Sequence, residues 1–99
     1  MNCENTVTLS GTLHLPKGDM EGSNQHGQYL KFSVKQSMVG YDGIERTSFL
    51  PVRVFDPALK EWLKTRKEGD AIRLTGSIRS SSGSGDMFIR PDSLEAPCE

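Results

Sequence analysis

Apolar and polar positions alternate along most of the chain. From Thr6 to Leu15, TVTLSGTLHL sets Val7, Leu9, Leu13 and Leu15 on one side and Thr6, Thr8, Ser10, Thr12 and His14 on the other, the period of a half-buried strand. Gly11 falls in the apolar series and predicts a bulge or sharp bend. A second strand, Gln28 to Met38, turns Leu30, Phe32 and Val34 inward and Tyr29, Lys31, Ser33 and Lys35 outward. Between them, Pro16 to Gly27 is a polar, turn-rich loop with no strand or helix period. Val39 to Arg46, containing GYDG, is a hairpin-like connection of the kind that reaches ligands.

The stretch SFLPVRVFDPALKEWL, Ser48 to Leu63, supplies a third strand and the one convincing helix. Leu50, Val52 and Val54 form an aliphatic face, whereas Phe49, Pro51, Arg53 and Phe55 put two aromatics around an arginine on the other. Asp56 is a good N-cap with Pro57 at the first helical position. Leu59, Trp62 and Leu63 share one helix face, with Trp62 expected in the core, and Gly69 is the expected C-cap. Lys60, Lys64 and Lys67 read as a solvated surface. A fourth strand runs from Ala71 to Ser80, with Ile72, Leu74, Gly76 and Ile78 inward and Arg73, Thr75, Ser77 and Arg79 outward. SSSGSGD is a flexible turn, and Met87 to Leu94 is a fifth strand that Pro91 places at an edge.

Five short strands cannot bury a core as an open flat sheet, so closure into a barrel with the helix plugging one end is the economical solution. The expected class is all-β with one helix: a five-stranded oligonucleotide/oligosaccharide-binding (OB) barrel with the helix between strands three and four. At 99 residues and 34% hydrophobic content, the chain suits one domain, 1–99, packed from about residue 5 to 95. A net charge of −1 excludes a uniformly basic nucleic-acid wrapper, yet residues 45–79 carry +3 against −1 for residues 1–44, so a polyanion would meet the middle of the chain.

Chemistry-bearing motifs are absent from the sequence. There is no GxSxG, GxxxxGK[ST], HExxH or CxxC, and GSGD at 83–86 is too short for a dinucleotide fingerprint. Cys3 and Cys98 read as free thiols, and His14 and His26 have no ligand constellation, so no cofactor or metal is expected. No apolar run approaches the roughly 18 residues of a membrane span, and no signal-peptide pattern opens the chain. A soluble, cytoplasmic binding protein without catalysis is expected.

NTVTLSGTL at 5–13, YLKFSVKQ at 29–36, TSFLPVRVF at 47–55 and GDAIRLTGSIRS at 69–80 together resemble, in order, the strands of bacterial single-stranded-DNA-binding (SSB) proteins. That superfamily includes the primosomal protein PriB. The resemblance implies exposed aromatics at Phe49 and Phe55 that stack on bases, and a homodimer or homotetramer. Tyr41 stands near a position where the family often has tryptophan. The loop SSSGSGD lacks the family's usual aromatic, and SLEAPCE lacks its long acidic-tipped tail. A bare binding domain is therefore expected, close to PriB-like proteins or to small phage and plasmid relatives.

The residues leave two readings. In the first, single-stranded DNA, or RNA, stacks on Phe49, Phe55 and Tyr41 while Lys31, Lys35, Arg53, Arg73 and Arg79 hold its phosphates, serving DNA replication, recombination or repair. In the second, a PriB-like primosome or other protein-interaction module uses the same aromatic face to dock replication proteins or its own subunit.

Overall fold

The computed structural model describes residues 3–15, 21–24, 27–81 and 83–97. In chain order the elements are β1 (Val7–His14), β2 (Glu21–Asn24), β3 (Gly27–Val39), β4 (Glu45–Val54), α1 (Pro57–Lys64), β5 (Ala71–Ser80) and β6 (Met87–Glu95). Five of the strands close a ring in the order β1-β5-β6-β4-β3-β1, and β2 adds to β3. This is the expected OB connectivity, with α1 between the third and fourth barrel strands.

Two glycines make the closure possible. β1 pairs with β5 over Val7–Thr12 and then with β3 over Thr12–His14. At the bend, a Cβ on Gly11 would stand 2.5 Å from the Lys35 carbonyl oxygen and 2.8 Å from Val34 Cγ1. On the other side of the ring, Thr75 pairs with Ser93 but Gly76 with Pro91, so Asp92 is the extra residue of a bulge. A Cβ on Gly76 would overlap the Arg90 carbonyl oxygen and lie 2.7 Å from Pro91 Cα.

The inward series meet as one core of Leu13, Leu30, Phe32, Val34, Val52, Val54, Ile72, Leu74, Ile89 and Leu94, closed at one end by Leu63 of α1. Asp56 accepts the Ala58 amide at 2.8 Å, as a helix N-cap does. Among the described residues, no helix is long and apolar enough to cross a membrane.

Five local expectations are corrected. The polar stretch before β3 contains β2, held by the β3 register from Glu21↔Leu30 to Asn24↔Gly27 rather than by apolar alternation of its own. Gly69, at φ +89°, is not the helix cap: Thr65 ends α1 earlier by donating its hydroxyl and amide to the Trp62 carbonyl at 2.6 and 3.1 Å. Trp62 is half-buried against the core, with Arg66 lying 4.8 Å from its ring centre. Ile78 is 45% exposed because it lies beyond Val7↔Gly76, the last β1–β5 pair. Finally, β6 is an interior strand; Pro91 is tolerated because the β4–β6 pairing consists of Val52↔Ile89 alone and Pro91 sits at the bulge. Cys98 and His26 lie outside the described residues.

Replacing Gly76 by alanine should cost about 1–3 kcal/mol, since the methyl group meets backbone that must shift. Gly83, with open space around it, should tolerate alanine within about 0.5 kcal/mol; urea denaturation of both variants checks the contrast.

Candidate nucleic-acid interface

The β3–β4 ladder builds the outer face. Its pairs Lys31↔Arg53, Ser33↔Pro51 and Lys35↔Phe49 put the outward residues of both strands side by side, and one step past Leu30↔Val54 the same alternation sets Tyr29 beside Phe55. The Val52↔Ile89 contact brings in Phe88 and Arg90 of β6, and Arg79 of β5 faces Phe88 in register. Four strands thus contribute to one surface. Its sequence origin is simple alternation, which sends every second residue of each strand outward.

Rings and cations interleave on this surface. Tyr29 and Phe55 stand 5.2 Å apart, Phe55 and Phe88 6.4 Å apart, all tilted. The Arg53 guanidinium carbon lies 4.5 Å from the Phe88 ring centre and 5.1 Å from that of Tyr29, and Arg90 reaches Phe55 at 5.6 Å. These are cation–π contacts. The Tyr29 ring itself rests on Gly22 of β2, where a Cβ would approach its carbons to 2.7 Å.

A second aromatic position lies farther along the ladder. Phe49 is 51% exposed and its ring is 4.8 Å from that of His14. A shallow groove beside it is lined by His14, Lys31, Ser33, Pro51 and Arg53. Among the described residues, no carboxylate forms an ion pair with Lys31, Lys35, Arg53, Arg79 or Arg90. Their charge is available to an anion.

The eight residues singled out from sequence are distributed unevenly. Phe55, Arg53, Lys31 and Arg79 join the ring cluster, and Phe49 and Lys35 lie across from one another farther up the ladder. Phe55 is half-buried by its aromatic neighbours, whereas Phe49 projects. Arg73 stands apart, opposite Ser10 and Glu95 in register and 3.8 Å from the Glu95 carboxylate. Tyr41 is fully exposed at the tip of the β3–β4 hairpin, beyond the end of the ladder. Tyr29, Phe88, Arg90 and His14 join the site only through the fold, beyond the residues the sequence singles out. The outward alternation of Phe88 and Arg90 about Ile89 was the available signal for two of them. Among the described residues, no group of three or more His, Cys, Asp or Glu is placed to hold a metal ion.

The hairpin tip is held by charge. Arg46 donates to both Asp42 carboxylate oxygens at 3.1 and 2.7 Å, and the Ile44 amide donates to Asp42 Oδ1 at 3.1 Å. These donors hold the Asp42 carboxyl below its usual range, the Arg46 contact most of all.

No protein-family model matches the sequence, and no curated protein matches it significantly. Solved structures do match. The mitochondrial single-stranded DNA binding protein of S. cerevisiae superposes with a TM-score of 0.72 at 15% identity, over 92% of this chain and 90% of that one. The small single-stranded DNA-binding protein of Streptomyces coelicolor gives 0.72 at 11% identity, over 97% and 95%. This chain has the fold of the SSB proteins. A third SSB-like OB structure, the dimeric N-terminal domain of PriB from Thermoanaerobacter tencongensis, gives 0.62 at 16% identity, over 96% and 98%. At these identities the likeness is one of fold, and the surface residues of this OB barrel are its own. The ring cluster occupies the face of the second and third barrel strands, which OB folds use for oligonucleotides and oligosaccharides.

Because the folded Asp42 carboxyl is depressed, the order it confers on the tip is present above the ordinary carboxylate range. It is lost as pH falls through the lowered value. The Ile44 amide resonance should therefore shift with a midpoint below the ordinary 3.8, and Arg46→Ala should move that midpoint up, as read by NMR titration.

Proposed function

We propose that this protein binds single-stranded DNA with little sequence preference, laying the strand across the outer face of β3, β4 and β6. The observation that carries the reading is the ring-and-cation surface of Tyr29, Arg53, Phe55 and Phe88 beside the exposed Phe49. Such surfaces suit single strands because every base offers a π face and every nucleotide a phosphate. Lys31, Lys35 and Arg79 add charge with no ion-paired carboxylate among the described residues. Its likeness to proteins named for single-stranded DNA favours DNA over RNA as the ligand, and replication, recombination or repair as the setting.

Assembly of several copies fits the same reading. Over Val7–Gly11, β1 pairs with β5 on one side, while on the other side its Ser10 carbonyl accepts the Gln36 side-chain amide at 2.9 Å and no described strand pairs there. An edge of this kind templates pairing with another chain. A second reading, docking of a protein partner, draws on the exposed Met38, Val39, Tyr41 and Ile44 of the hairpin.

Fluorescence anisotropy with a labelled oligothymidylate of about 30 nucleotides, beside a duplex control, tests the first reading. Phe49→Ala should weaken single-strand binding by about 1–3 kcal/mol, roughly 5- to 150-fold, while Arg73→Ala changes it little. Lys31→Ala should reduce the slope of log affinity against log salt by about 0.7. Failure to bind at low salt would leave the protein-docking reading. In sedimentation equilibrium the wild type should assemble, and Thr8→Lys, which guards the β1 edge, should shift it toward monomer.

A further inference from the structure

His14 shares the groove of Phe49 and is held there by a second residue. Its Nδ1 lies 3.3 Å from Glu68 Oε2, and Glu68 is itself fixed because its Oε1 accepts the Leu15 amide at 2.7 Å. A carboxylate can only accept, so Nδ1 carries the hydrogen and Nε2 is the nitrogen left for a ligand. In the neutral ring Nε2 is an acceptor and turns phosphate oxygens away. In the imidazolium it is a donor and attracts them.

Among the described residues, the charges facing the ring come from three elements. Glu68, from the segment after α1, is the anionic neighbour. Lys31 on β3 and Arg53 on β4 line the same groove as cationic neighbours, and Lys35 follows on β3 opposite Phe49. An anion in the groove offsets the lysine and arginine and adds its own attraction for the imidazolium. Anion binding and proton uptake therefore reinforce one another.

We propose that His14, oriented by Glu68, is a phosphate-binding residue of the Phe49 groove and engages the phosphodiester backbone of a bound single strand as the imidazolium. This rests on the single-strand reading of the face. The contact couples strand binding to uptake of a proton.

The test measures affinity for oligothymidylate, whose bases do not titrate in this range, from about pH 5.5 to about pH 8 at fixed salt, the interval in which histidine changes charge. Wild type should bind about three- to tenfold tighter at the acid end, the order of one gained phosphate contact. His14→Gln should be flat near the weaker, alkaline wild-type value. His14→Lys should be flat near the tighter, acid value, which a merely structural role for His14 would not produce. Glu68→Gln should narrow the wild-type span. Parallel profiles for wild type and His14→Gln overturn the proposal and leave the single-strand reading standing. Absence of wild-type binding at every pH overturns that reading and this one with it.

Discussion

Closure of the barrel rests on β1 changing neighbours within one residue: Thr12 pairs with Ala71 of β5 on one side and with Lys35 of β3 on the other. The exchange requires β3 to press against β1 where Gly11 has no side chain. With the ring closed, Leu13, Val34 and Ile72 reach a common interior, and the alternate residues of β3 and β4 have nowhere to go but out. The chemistry of the outer face is thus a by-product of core closure. Among the described residues, no polar or charged side chain is buried, so the core specifies the shape and the surface keeps all the charge.

On that surface two kinds of contact compete for the same rings. Arg53 lies over Tyr29 and Phe88, a contact worth about 0.5–1 kcal/mol at an exposed site. A base stacked on an aromatic is worth about 1–3 kcal/mol. On the proposed single-strand reading, stacking would win the ring faces, and the displaced guanidinium would remain within reach of a phosphate. Arg53 covers the apolar ring surface; in the proposed complex its charge would find a better partner. Among the described residues, Phe49 has no such cover beyond the His14 ring and is the more exposed ring.

The barrel was legible because its signals are local and periodic. The inward series of β1, β3, β4 and most of β5 appear directly as alternation, Asp56-Pro57 marks the helix start, and Gly11 marks the bend. What escaped depends on contacts between distant segments. Ile78 continues the apolar alternation of β5 but outlasts its cover from β1. EGSN has no strand signal and is ordered by the backbone of β3. Pro91 reads as an edge residue, yet the bulge at Gly76 gives an interior strand room for it. In the site, pattern alone found the Phe49, Arg53 and Phe55 face. It could not bring Phe88 and Arg90 alongside, because β6 reaches β4 across the ring and not through the sequence. His14 carries no local signal of its place in the groove, because its partner, Glu68, is 54 positions away.

The single Val52↔Ile89 pair makes the parallel contact between β4 and β6 the thinnest seam of the barrel. Every other junction of the ring is a longer antiparallel ladder. The backbone pairing of the ring is sparsest directly beneath Arg53 and Phe88. A ligand that touches both strands there acts as a staple across the seam, and its binding energy adds to the stability of the closed state by mass action. The proposed binding face and the most sparsely paired joint of the barrel are therefore the same place, and a protein occupied there would be a more tightly closed one.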